Sequence, residues 1–264
     1  MAIRSLKTGQ FSRSMLVGNP MKSPIAGYTA WYDASDTSTI TLSGSNVTQW
    51  NDKSGNAYHL SQATTSRQPR SGINTVNGRN AITYDGTDDR LQASTASNWT
   101  FLHHTATHTF MVFYTNTAAA SQRLMETSTD GEFRGIMYTI DTNDTVYAEC
   151  DTGNVSNRPY QMSTTLTVPQ PGASYWTFAS DPGNATAANR IKIRKNGVAA
   201  GGTNTNTATP STSVASYPLT VGGWAKPDSY SLNGYMCEII IYPSILSDSD
   251  RNTVESYLAT KWGI

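Results

Sequence analysis

The sequence predicts an all-β sandwich closed by a short C-terminal helix, and three observations carry that expectation. Charged residues make up only 14% of the 264 positions, while Thr, Ser, Asn and Gly crowd the stretches between apolar segments; this is the profile of a turn-rich β protein. The apolar segments are short, rich in β-branched and aromatic residues, and bounded by turn signals such as Asn196-Gly197 and Asn233-Gly234. Helical spacing backed by capping signals appears at the end of the chain, from Ser247 to Gly263.

Taken in order, Tyr28–Asp33 alternates as a first strand, and Val47–Asn56 leads through Trp50 and Asp52 into a turn at Ser54-Gly55-Asn56. Ala81–Tyr84 is a strand that meets an acidic turn, Asp85-Gly86-Thr87-Asp88-Asp89, and returns. In Thr109–Thr115, Phe110, Val112 and Tyr114 point one way and Met111 and Phe113 the other, so both faces are apolar and the strand is central. Strands are expected at Gly135–Ile140, Thr145–Cys150 and Tyr175–Ser180. Arg190–Val198 is a hairpin, because Asn196-Gly197 accepts the positive φ of a primed turn. Its Ile191 and Ile193 face in, and Arg190, Lys192 and Arg194 face out as a basic row, solvated or turned to an anionic glycan. Gly201–Ser216 is a polar loop on the sandwich rim. Tyr217–Gly222 and Tyr235–Tyr242 are the closing strands. In the last helix the Ser247 hydroxyl caps the first free amides, Asp250 sits at the positive end of the dipole, and Val254, Tyr257, Leu258 and Lys261-Trp262 follow at helical spacing as one apolar stripe.

The stretches Leu232-Asn233-Gly234-Tyr235, Glu238–Tyr242 and Leu246-Ser247-Asp248 through Lys261-Trp262-Gly263 resemble the ending of laminin-G-like, concanavalin-type jelly-roll domains. Trp50-x-Asp52-x-Ser54-Gly55 and Asn77-Gly78-Arg79 into Tyr84-Asp85-Gly86 match upstream, so the resemblance covers residues 25–264. It implies a concanavalin-type jelly-roll β-sandwich, with Trp31, Trp50, Trp176 and Trp262 in the core and Glu238 as a structural strand-end carboxylate. Many members of that family are carbohydrate-binding or adhesive modules, and many are parts of tailed-phage virions. Residues 1–24 differ in character: Arg4, Lys7, Arg13 and Lys22 are basic, no acid precedes Asp33, and Gly9, Gly18, Pro20 and Pro24 interrupt any helix. Met1–Gly9 with Phe11-Ser12-Arg13-Ser14 looks like a segment shared by structural proteins of marine tailed phages, which implies an extended N-terminal docking arm carrying Arg4, Lys7, Phe11 and Arg13. The partners expected on that basis are other virion proteins, a host-surface glycan and further copies of the chain.

Nineteen basic and nineteen acidic residues cancel, so no global field draws the chain to nucleic acid or an anionic membrane. No apolar run reaches transmembrane length, and the opening residues lack the core of a signal peptide, so the expectation is a protein made in a cytoplasm; joined to the phage resemblance, this implies a host cytoplasm and a virion. Cys150 and Cys237 fall in predicted strands; buried free thiols are the favoured reading, with a disulfide as the alternative.

For chemistry, the laminarinase-like glycosidases that share the fold place three acids on alternate positions of one strand, and the nearest approach here is Glu149-Cys150-Asp151, a pair without a third member. No nucleophile elbow, phosphate loop or dinucleotide fingerprint is present. The expectation is a non-enzymatic protein needing no cofactor, with a glycosidase or a cellular carbohydrate-binding module as alternatives. Asp85, Asp88 and Asp89 are candidate calcium ligands, since a hard cation wants several oxygens on one loop, and the same residues suit a metal-free turn. His103, His104 and His108 lack the Glu of a zinc-hydrolase motif. Sugar binding calls for loop aromatics beside planar polar groups. Trp224 with Asp228 and Tyr230 meets that requirement, and Trp99 is a second candidate.

Overall fold

The computed structural model describes residues 25–117, 120–128, 134–153, 160–202, 204–225 and 230–264. Residues 1–24, with Arg4, Lys7, Phe11 and Arg13 of the expected arm, lie outside them, as does Asp228. The described strands are β1 (Ala30–Asp33), β2 (Ile40–Ser43), β3 (Asn46–Trp50), β4 (Leu60–Ser61), β5 (Arg70–Val76), β6 (Arg79–Asp85), β7 (Leu91–Gln92), β8 (Thr107–Thr115) and β9 (Gln122–Glu126). They continue with β10 (Arg134–Ile140), β11 (Thr145–Thr152), β12 (Tyr160–Thr167), β13 (Gly172–Ser180), β14 (Ile191–Lys195), β15 (Val198–Ala199), β16 (Thr220–Val221) and β17 (Asn233–Tyr242). Two helices accompany them, α1 (Phe101–His104) and α2 (Asp248–Trp262).

Every strand pair among the described residues is antiparallel, and the strands form two facing layers of a jelly-roll β-sandwich. The first layer runs β15–β14–β13–β8–β17, and the far edge of β17 is shared by β1, opposite Glu238 to Ile241, and β6, opposite Asn233 to Met236. The second layer runs β12–β11–β10–β9–β16–β7–β4–β3–β2, and β5 joins β6 to β3 between the layers. Met111, Phe113, Trp176, Phe178, Ile239 and Ile241 of the first layer meet Leu124, Met125, Ile136, Tyr138, Val146 and Cys150 of the second, all buried. The opposite face of the first layer is also apolar: Trp31, Phe110, Val112, Ile240 and Tyr242 pack against Val254, Tyr257, Leu258 and Trp262 of α2. The β8 strand is therefore central, and its two apolar faces serve two cores, as its alternation predicts.

Between α2 and the first layer lies a buried charged network. Glu238 is fully buried; its Oε1 accepts from Trp31 Nε1 (2.8 Å) and the Tyr257 hydroxyl (2.9 Å), and its Oε2 from Trp262 Nε1 (2.7 Å) and Lys261 Nζ (2.8 Å). Lys261 also pairs with Asp33 (2.7 Å), which Lys53 approaches from outside at 3.3 Å. Burial alone would raise the Asp33 carboxyl, but the charge of Lys261 outweighs it and holds Asp33 below its usual range; Glu238, buried more deeply and beside Asp33, is pushed up. A bulge makes the network attainable. Cys237 is an extra residue in the register with β8, so Glu238 turns toward the helix with its neighbour instead of into the sandwich core.

Helix α2 is capped as the sequence implies. The Ser247 hydroxyl accepts from the Asp250 amide (3.1 Å), and Gly263 ends the helix at φ 70°. The hairpin turn has positive φ at Asn196 (47°) and Gly197 (78°), as a primed turn requires. Cys150 and Cys237 are buried free thiols, and Trp31, Trp50, Trp176 and Trp262 are core residues.

Several expectations are corrected. Trp99 is not a loop aromatic but a fully buried one, because a 3₁₀ turn at Ala96–Trp99 runs into α1 and inserts Trp99 and Leu102 together into the sandwich core beside Tyr58. Arg190 is turned inward and buried, donating to the Asn184 carbonyl (2.8 Å) and to those of Thr207 (3.1 Å) and Ala208, so it pins the polar loop and leaves the basic row. The strand expected over Tyr217–Gly222 contracts to Thr220–Val221, since Tyr217 bonds to Thr127 outside a ladder.

Replacing Lys261 by Met strands two buried carboxyls, and the expected loss is about 3–5 kcal/mol of unfolding free energy. Urea denaturation checks it, and a loss below about 1 kcal/mol would show that α2 is held by its apolar contacts alone.

Candidate functional site

The outer face of the second layer, turned away from both cores, carries the polar cluster that includes two of the sequence-predicted ligand residues. Register places its side chains in rows. Gln92, Thr220, Glu126, Met137 and Glu149 are successive cross-strand neighbours on β7, β16, β9, β10 and β11, and Arg123, Thr139 and Tyr147 form the next row. Arg123 and Glu126 are three residues apart, which in a regular strand would put them on opposite faces. Leu124 is an extra residue in the register with β10, so Leu124 and Met125 both enter the core while Arg123 and Glu126 share the outer face.

The contacts are specific. Arg123 Nε lies 3.4 Å from Glu126 Oε2, both side chains being almost wholly buried. Its Nη1 donates to the Thr139 hydroxyl and to the Tyr147 hydroxyl (3.1 Å), and its guanidinium stands 5.0 Å from the centre of the Tyr230 ring. Glu126 Oε1 accepts from the Ala225 amide (2.7 Å), and the Arg123 amide donates to the Tyr230 carbonyl (2.7 Å), so the segment after β16 is tied at both described ends to β9. Trp224 meets Tyr230 edge to face at 5.1 Å, and Trp224, Tyr230 and Tyr147 are all half-buried. Gly222 sets the position of Trp224. It has φ 79°, and a Cβ there would lie 2.0 Å from the Tyr84 ring, so only glycine lets the chain turn tightly over Tyr84 toward the outer face.

Two of the expected ligand residues, Trp224 and Tyr230, are thus brought together; Asp228 lies outside the described residues, and Trp99 is in the core. Sequence reading missed Arg123, Thr139 and Tyr147. The one available signal was an arginine within the otherwise apolar run Arg123-Leu124-Met125, and the bulge that gives it meaning is a pairing property.

The expected calcium ligands also converge. Among the described residues, Asp85, Asp88 and Asp89 are the acid trio whose oxygens lie within 4.8 Å of one another. Their donor type fits a hard cation. Two of the carboxylates also serve the turn itself: Asp89 Oδ2 accepts from the Asp85 amide (3.0 Å) and Asp85 Oδ1 from the Thr87 amide (2.8 Å). A pocket of about 270 Å³ opens beside Asp85 and Asp89, with Gln68 and Arg70 on its wall. Burial, and then the charges of Asp85 and Asp88, push the Asp89 carboxyl up to about 7. The three histidines do not form a metal site: His103 bonds to the Ser213 carbonyl (3.1 Å), His104 is exposed, and His108 accepts from the Leu246 amide (3.0 Å). Glu149 and Asp151 do share the outer face with Glu126, but they join no acid trio of such close approach among the described residues.

No protein-family profile matches the chain, and no curated protein matches it. Solved structures do. The Trypanosoma rangeli sialidase in complex with sialic acid superimposes with a TM-score of 0.61 at 11% identity, over 91% of this chain and 34% of that one. The likeness establishes the fold. This chain spans about a third of the sialidase's length. The CBM40 of Ruminococcus gnavus IT-sialidase, bound to α2,3 sialyllactose, superimposes with a TM-score of 0.51 at 13% identity, over 67% of this chain and 94% of that module. The same module bound to α2,6 sialyllactose gives 0.51 at 13% identity, over 66% and 95%. No helix among the described residues is long and apolar enough to cross a membrane.

Asp89 makes a pH-dependent contribution whose sign follows from its raised pKa. Between the unfolded value of about 3.9 and the folded value of about 7, the folded chain holds a proton that the unfolded chain releases, so this contribution to stability falls as pH rises through that window. Asp88→Asn removes one neighbouring charge; the Asp89 carboxyl, followed by carbon-13 NMR, should titrate lower, and urea midpoints should decline less steeply across the window than in the parent. An unchanged titration would show that Asp88 does not act on Asp89.

Proposed function

We propose that this chain is a non-catalytic carbohydrate-binding sandwich, held by its N-terminal arm on the particle of a tailed phage and presenting its outer polar face to a glycan. The observation that carries the binding half is the cluster of Trp224, Tyr230, Arg123, Tyr147 and Glu126 on one layer. Two half-buried aromatics offer apolar surface to the face of a sugar ring. Beneath them the buried pair Arg123 and Glu126, held by Thr139, Tyr147 and the Ala225 amide, fixes the segment that carries both rings, so little side-chain entropy is lost when a sugar binds. The likeness to the R. gnavus CBM40, whose solved structures contain sialyllactose, supports the same reading. The acid pair Glu149 and Asp151 lacks the third member of the laminarinase-like pattern, and the sequence has no nucleophile elbow, which supports a binding role over turnover.

The virion half rests on residues 1–24, basic, broken by Gly and Pro, and similar to segments of marine phage structural proteins. Head decoration and tail fibre are both served by such an arm, and the sandwich also suits assembly with further copies of the chain. The acidic turn at Asp85, Asp88 and Asp89 is the proposed place for calcium should the sandwich take a cation.

A glycan array with the full chain should give selective binding that falls at least tenfold in Trp224→Ala, the loss expected of one stacking aromatic, with the circular dichroism unchanged. No binding at millimolar sugar would reduce the sandwich to an architectural part, and turnover of a β-glucan by the purified protein would replace the reading with a glycosidase. Deleting residues 1–24 should abolish incorporation into particles while leaving thermal unfolding of the sandwich unaltered; normal incorporation of the shortened protein would rule out the arm.

A further inference from the structure

The geometry points to a second ligand site on the opposite side of the molecule, a pocket for a small monocarboxylate with a body the size of one sugar ring. It lies where α2 stops short of the outer face of the first layer. Tyr242, His108, Ala179 and Lys192 are successive cross-strand neighbours on β17, β8, β13 and β14. Tyr242 is covered by the second core, whereas Ala179 is too small to fill its place in the row. The hollow over it, about 540 Å³, is walled by His108, Lys192, Arg194, Leu246, Asp248 and Arg251. That volume falls within the range of about 300–1,000 Å³ typical of small-molecule sites.

Three features of the wall define the ligand. His108 is only 2% exposed, and the Leu246 amide donates to its Nδ1 at 3.0 Å, which places the neutral ring's proton on Nε2. His108 lines the hollow, and no described residue bonds its Nε2, so this donor is left for a ligand there. Burial, with help from Arg251 and Arg194, lowers the His108 pKa to about 4, so at neutral pH the ring donates without carrying charge. The charges do not balance. Arg194 and Arg251 share Glu255, at 3.3 Å and 3.8 Å, and Arg251 also pairs with Asp248. Lys192 is exposed, makes no ion pair with a described residue, and is the third cation. Three positive groups against Asp248 and Glu255 leave one positive charge, which one carboxylate neutralises. Ala179, Ala188 and Ala199 leave room that a body the size of one ring would fill.

The site does not depend on the glycan-binding face, which lies on the other layer. Glucuronate is the probe, added to the full chain labelled with nitrogen-15 at histidine. Saturable movement of the His108 ring nitrogens is expected with glucuronate and not with glucose. Lys192→Gln, an exposed substitution that leaves the packing alone, should weaken it roughly tenfold, the worth of one charge-assisted hydrogen bond. Ala179→Leu, which fills the hollow, should abolish it while the chain stays folded. Equal response to glucose, no saturation at millimolar glucuronate, or an unweakened Lys192→Gln would overturn the proposal.

Discussion

The carboxylate of Glu238 is the group on which the arrangement of this molecule turns. It is fully removed from water, yet each of its oxygens has two donors, from Trp31, Tyr257, Trp262 and Lys261. A buried carboxylate so surrounded is tolerable, whereas one missing a partner is costly. The four donors come from β1 and from the last turns of α2, so satisfying one side chain brings the start and the end of the sandwich to the middle of β17. Lys261 extends the constraint to Asp33, and Asp33 extends it to Lys53 in the turn shaped by Asp52. In that turn the Asp52 carboxylate accepts from the amides of Trp31, Ser54 and Tyr58. Helix α2 is therefore not strapped on by an apolar stripe alone. Its inward face combines Val254, Leu258 and Trp262 with the buried charges of Glu255 and Lys261.

With the first layer occupied by the helix, the second layer is left to face outward with polar rows. Arg123 and Glu126 sit on that face as a fixed pair, and Tyr230 and Trp224 stand over them on a segment that Gly222 turns across Tyr84. The two sides of the sandwich thus differ in kind. On the helix side lies the hollow over Ala179, bordered by Lys192, Arg194 and Arg251; on the other side aromatics stand over a neutralised ion pair.

Much of this was legible along the chain. The fold class, the central position of β8, the primed turn at Asn196-Gly197, the Ser247 cap, the Gly263 stop and the structural role of Glu238 are written in local patterns: β-branched runs, double-sided apolar alternation, and residues whose backbone or hydroxyl chemistry suits one position. The acidic turn also came together as its spacing suggested. Misreadings arose where a partner decides. Trp99 follows a polar stretch and looks exposed, but a 3₁₀ turn swings it inward; Arg190 alternates as an outward residue, but three carbonyls of the polar loop draw it in.

Residue order by itself determined that this chain alternates, turns and caps as a two-layer β protein, because those are properties of neighbours a few positions apart. Which face each charged group occupies was settled only in the folded molecule. Leu124 and Cys237 are single extra residues in paired strands, and each shifts the alternation so that Glu126 turns outward and Glu238 toward the helix. A bulge exists only in the register between two strands, so no inspection of one strand reveals it.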